Sequence, residues 1–201
     1  MDKRHLHHAL TVIRSIKIWY LAVLVVVTGI AATLSLRQNN LTMVQLRDKV
    51  YQADEQNRDV EGALQDLRAY VHSHMNTDLS GGGNAVYPPI QLKYTYQRLK
   101  QAEQERVKQA SSQVYTAAQD YCEKLYPNSF SGGPRVPCIE QYVSENKVAE
   151  KSIPDAMYKF DFVSPTWSPD LAGFSLLASV LLLALLVLRV AAEWLLKRLS
   201  K

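Results

Sequence analysis

"IWYLAVLVVVTGIAATLSL", residues 18–36, contains no charged side chain. A helix rises about 1.5 Å per residue and the hydrocarbon core of a bilayer is about 30 Å thick, so the run is long enough to cross it once. Residues 171–188, "LAGFSLLASVLLLALLVL", repeat the pattern. Over all 201 residues only 47% are hydrophobic, which by itself would suit one soluble domain. The apolar residues are instead segregated. The expected fold is all-α, with transmembrane helices at 18–36 and 171–188 flanking an extracytoplasmic insert at 37–170.

Lys3, Arg4, Arg14 and Lys17 precede the first run as the basic region of a cleaved signal peptide would. The apolar stretch exceeds the usual length of about 7–15 residues, and "TGIAATLS" offers a poor cleavage site, so an uncleaved anchor is expected. Charge then sets orientation. Residues 1–17 carry four Lys/Arg and one acid, residues 37–170 fifteen and seventeen, and residues 189–201 four and one. Basic residues outside both runs put the amino-terminal 1–17 and the tail 189–201 in the cytoplasm of a two-pass cell-membrane protein. The net charge of +4 is thus a topology signal. The insert is slightly acidic and carries no base-reading motif, so the bilayer, and not nucleic acid, is the expected partner of the basic ends.

Cys122 and Cys138, the only two cysteines, both fall in the insert. In an oxidising compartment they are expected to pair, closing a loop of about fifteen residues whose cross-link contributes about 3 kcal/mol.

Within the insert, Met43, Leu46, Val50, Ala53, Asn57, Val60, Leu64, Leu67 and Val71 recur at alternating threes and fours. This a/d pattern predicts a helix continuing from the first span to about residue 75, with an assembly seam along one side. Asn57, the one polar member, fits two readings: a register-fixing asparagine at a self-association interface, or a solvent-facing residue. "MNTDLSGGGNAVYPP" then supplies turn formers, and Pro88 and Pro89 mark a restart. From Ile90 a weaker stripe reads Leu92, Tyr96, Leu99, Val107, Ala110, Val114, Ala117 and Tyr121. Rods of roughly 58 and 54 Å would form an antiparallel hairpin over 37–126, with its tip at 76–89. Residues 127–170 are expected to form a small disulfide-pinned base: a loop, a short helix near "CIEQYVSENKVAEK" and a proline-rich strap. Trp167 would reach the membrane interface there, with Trp19, Tyr20, Arg189 and Trp194 at the opposite one.

His72, His74 and Met75 are candidates for a soft-metal site. Side chains two apart on a helix diverge by about 200°, so a polar helix end is the preferred reading and no metal or cofactor is expected. His5, His7 and His8 resemble a metal cluster too, but they lie on a short terminus where an ordered site is not expected. Arg189 and Glu193, four apart, read as a snorkelling juxtamembrane pair. Asn40-Leu41-Thr42 matches the glycosylation sequon but lies close to the membrane on an expected helix. Asp54 with Glu55, and Glu103 with Glu105, read as solvated helix faces. No nucleophile elbow, P-loop, dinucleotide motif, HExxH or CxxC is present, and an enzyme is not expected.

The stretch "YVHSHMNTDLSGGGNAVYPPIQLKYTYQRL" resembles two-pass bacterial membrane proteins of unassigned function, over roughly a third of the chain. The resemblance implies a bacterial cell envelope and brings no catalytic residues. The expected architecture is also similar to the helical ectodomains of chemoreceptors and sensor kinases, although only about five residues follow Leu196 and no signalling domain is expected there. A lone hairpin leaves flanking faces open, so a homodimer or another envelope protein is the expected partner. The expected role is a non-enzymatic interaction or scaffold subunit, with an extracytoplasmic ligand sensor as the alternative.

Overall fold

The computed structural model describes residues 17–79, 87–127 and 133–199. Helices α1 (Ile18–Glu55), α2 (Val60–Ser73), α3 (Lys93–Leu125), α4 (Arg135–Glu145) and α5 (Leu171–Leu199) dominate, with two-residue strands β1 (Ile90–Gln91) and β2 (Lys159–Phe160) paired with each other. The chain divides into two compact units. The first holds residues 1–53, 59–90 and 161–201, the second residues 54–58 and 91–160.

In the first unit, α1 and α5 are each long and apolar enough to cross a membrane, and little of either apolar stretch is covered by protein. Val26, Val27, Ile30 and Leu34 of α1 and Leu181, Leu185 and Leu188 of α5 stand exposed. Water would penalise so large a bare apolar surface, whereas lipid would not. Thr28, Thr33 and Ser175 donate to the carbonyls of Leu24, Gly29 and Leu171 within their own helices. The helices approach at small residues: a Cβ on Gly29 would lie 3.7 Å from Ser179 Oγ.

The expected continuous rod to residue 75 is broken. α1 ends at Glu55, Asn57 takes the left-handed conformation (φ 51°), and Asp59 caps α2 by accepting from Gly62 N–H at 2.9 Å. Asparagine tolerates this conformation better than most residues because its short polar side chain can bond locally. The chain then returns beside α1, where Asn39 Nδ2 donates to Met75 O at 3.3 Å and Asn76 Nδ2 to Leu36 O at 3.0 Å. Asn57 therefore occupies no seam position; it is exposed and makes the turn. Met43, Val50, Leu64, Leu67 and Val71 are all buried within this one chain, with Leu46 and Val60 half-buried. The seam expected to drive assembly is consumed internally. The heptad count misled because the turn happens to preserve its phase, so two short stripes read as one long one.

The second unit is organised along α3. Its half-buried stripe follows Tyr96, Leu99, Val107, Ala110 and Val114 as expected, then steps by one residue to bury Ala118 and Cys122, leaving Ala117 and Tyr121 exposed. After α4 the chain runs back along α3 as a strap. The Tyr142 ring lies 5.5 Å from Tyr121, Ala149 O accepts from Arg106, Lys151 N–H donates to Glu103, and the Tyr158 ring lies 4.7 Å from Tyr96. A single 3₁₀ turn, Asp155–Met157, precedes β2, and Leu92 N–H donates to Tyr158 O at 2.8 Å.

Candidate functional site

In the first unit the polar side chains converge where α1 leaves its apolar run and α5 begins. Asp170 caps α5 through Gly173 N–H at 2.8 Å, and its carboxylate also accepts from Ser168 Oγ at 2.9 Å and Asn39 Nδ2 at 2.7 Å. Ser168, fully buried, accepts in turn from Met75 N–H at 3.0 Å. Burial pushes the Asp170 carboxyl up, but the bonds from Gly173, Asn39 and Ser168, with His74 nearby, outweigh it and hold the group below the usual carboxylate range. Gly173 is needed here because a Cβ would collide with Ser168 O and lie 2.9 Å from Trp167 Nε1. The node thus ties the segment after α2 to Asn39 within α1 and to the start of α5.

In the second unit two carboxylates serve as anchors. Asp54, almost fully buried, accepts from Tyr94 N–H (2.9 Å), Thr95 N–H (2.7 Å), Thr95 Oγ1 (2.7 Å) and Arg98 (3.0 Å). Leu92 at the N-cap position of α3 has no side-chain acceptor, so Asp54 caps that helix from outside. Glu103 holds Arg106 through two bonds and the strap through Lys151 N–H at 2.7 Å. Those bonds, Arg106 first, lower its carboxyl to about 2. Neither is the solvated helix face that its local sequence suggests. The Arg106 bond is local at i+3, but spacing alone could not reveal the anchoring, because Tyr94 lies forty residues from Asp54 and Lys151 forty-eight from Glu103.

Cys122 and Cys138 lie at disulfide distance, Sγ to Sγ 2.06 Å, joining α3 to α4. Beside them opens a groove of about 600 Å³ whose lining includes Tyr121, Leu125, Gln141, Tyr142, Glu145 and Asn146. Tyr121 and Leu125 are each about half exposed (53% and 52%).

The histidines do not converge. His74 stacks on Tyr70 at 4.0 Å with Nδ1 near Tyr70 O, while His72 meets the edge of Phe162 at 6.4 Å. Met75 is buried. Among the described residues no group of three or more His, Cys, Asp or Glu side chains could hold a metal. His5, His7 and His8 lie outside the described residues. So do 80–86 of the expected tip, whose first residue, Asn76, returns to the end of the first apolar run. Trp19, Tyr20, Trp167 and Trp194 are exposed, Trp167 edge-on to Phe174 and Trp194 under Arg198 at 4.8 Å. Arg189 is buried and bonded to Glu193 at 3.0 Å.

Comparison with protein-family models, curated proteins and solved structures finds no match.

Proposed function

We propose that this chain is a non-enzymatic, membrane-anchored interaction or scaffold subunit of a bacterial cell envelope. Both spans cross the membrane, the termini are cytoplasmic, and residues 37–170 lie outside. The observation that carries the assembly role is α3. Over its 33 residues only Ala118 and Cys122 are buried, while Tyr94, Tyr115, Tyr121 and Leu125 stand exposed. Tyrosines supply large contact area at low entropic cost and are enriched at protein interfaces. The partner is a second copy or another envelope protein, and because the α1–α2 seam is spent internally, it docks on α3.

Native mass spectrometry of the full-length protein, extracted gently from its own membrane, tests this. A homodimer or a stable complex with another chain, weakened by Tyr115→Arg, is the expected result. A monomer alone, at concentrations up to those in the membrane, would overturn it. The node at Asp170 supports a second reading as a ligand sensor, since it couples Met75 to Asn39 of α1 and to the start of α5.

A further inference from the structure

We propose that the Cys122–Cys138 bond is a thiol-operated latch, opened by a dithiol that attacks Cys138 and thereby releases α4. This goes beyond the assembly reading and stands on the two sulfurs and on what else holds α4. The two half-cystines are unequally covered. Cys122 is fully buried in α3, whereas Cys138 on α4 is half-buried and forms part of the wall of the adjoining groove, to which Cys122 contributes nothing. Exchange requires a thiolate to reach one sulfur of the bond, and access decides which. The groove leads to Cys138, so Cys122 is the leaving sulfur.

The reaction balances with a dithiol as the reductant. One of its thiolates attacks Cys138 Sγ, the S–S bond breaks, and Cys122 departs as a thiolate that takes up a proton. The second thiolate then attacks the reductant's own sulfur in the mixed disulfide. That closes the reductant's disulfide and frees Cys138, which is protonated in turn. Two electrons and two protons pass from the dithiol to the cystine.

Release is local, because α4 is otherwise weakly held. None of its residues is buried, and Ile139, Tyr142 and Val143 are only half-buried. Its ion pair with α3, Arg135 to Glu123 at 2.9 Å, is open to solvent and contributes little. The strap that follows has separate anchors on α3: Arg106 to Ala149 O, Glu103 to Lys151 N–H, and the Tyr96 ring against Tyr158. Reduction therefore frees α4 between two fixed points, the end of α3 and Ala149.

To test this, the full-length oxidised protein in lipid nanodiscs is exposed to glutathione, quenched with acid, capped with N-ethylmaleimide and mapped by peptide mass spectrometry. Glutathione on Cys138 with maleimide on Cys122 is expected, in about tenfold excess over the reverse arrangement, equivalent to about 1.4 kcal/mol. After reduction by dithiothreitol, confirmed by intact mass, hydrogen exchange should show lost protection over residues 135–145 while residues 93–118 and the strap keep theirs. A reduced CxxC protein replaces dithiothreitol in a second arm. Faster opening by that protein at equal thiolate concentration identifies a protein-borne donor, and slower opening a diffusible one. Equal or reversed labelling, no adduct at either sulfur, protection of α4 that survives reduction, or protection lost along the whole of α3 overturns the proposal.

Discussion

Replacing Asp54 by alanine should unfasten the start of α3. The substitution removes four hydrogen bonds at once, leaving the amides of Tyr94 and Thr95 without acceptors and Arg98 without its carboxylate. Losing an N-cap costs about 1–2 kcal/mol. Breaking a buried ion pair costs about 3–5 kcal/mol, and this one falls below that because the Arg98 side chain is 38% exposed and screened by solvent. A total of about 3 kcal/mol follows, which corresponds to roughly a hundredfold faster exchange for amides that open with this helix end. Hydrogen-exchange mass spectrometry in nanodiscs over residues 93–100 reads it directly. Asp54→Asn, which keeps one acceptor, should fall between wild type and alanine. Asp48→Ala, at an exposed carboxylate 4.0 Å from Arg47, is the control and should change nothing. Unaltered protection in Asp54→Ala, or an equal loss in the control, would refute the claim that α3 is capped from outside.

Asn57→Gly should leave melting temperature and oligomeric state unchanged, while Asn57→Val should cost about 1–2 kcal/mol because a β-branched residue resists the left-handed conformation; thermal unfolding separates the two. Gly173→Ala should destabilise the start of α5 by about 1–3 kcal/mol through collision with Ser168 O, visible as faster proteolysis between residues 161 and 175. The Glu103 carboxyl, lowered to about 2, contributes stability that is present above its unfolded value of about 4.3 and is lost as pH falls toward 2. Tyrosine fluorescence of the Tyr96–Tyr158 pair should therefore report strap release on acidification across that window, and Glu103→Gln should abolish the transition. Cys122→Ser should loosen α4 by about 3 kcal/mol of lost loop constraint, measured as increased exchange across residues 135–145.

The two apolar runs were legible because crossing length and absence of charge are properties of consecutive residues, and no distant contact enters either criterion. The pairing of Cys122 with Cys138 needed little more, two thiols being the only candidates for each other. The burial of Met43, Val50, Leu64, Leu67 and Val71 was equally legible, since periodicity records which side of a helix avoids water. What covers that side was not. A stripe has the same period whether its partner is another molecule or the next segment of the same chain, and only the left-handed Asn57 decides that this one folds onto itself. The anchoring roles of Asp54, Glu103 and Asp170 were likewise settled by tertiary structure. Each carboxylate carries the same local sequence signature as a solvated one, and its function depends on donors that the fold brings from far along the chain.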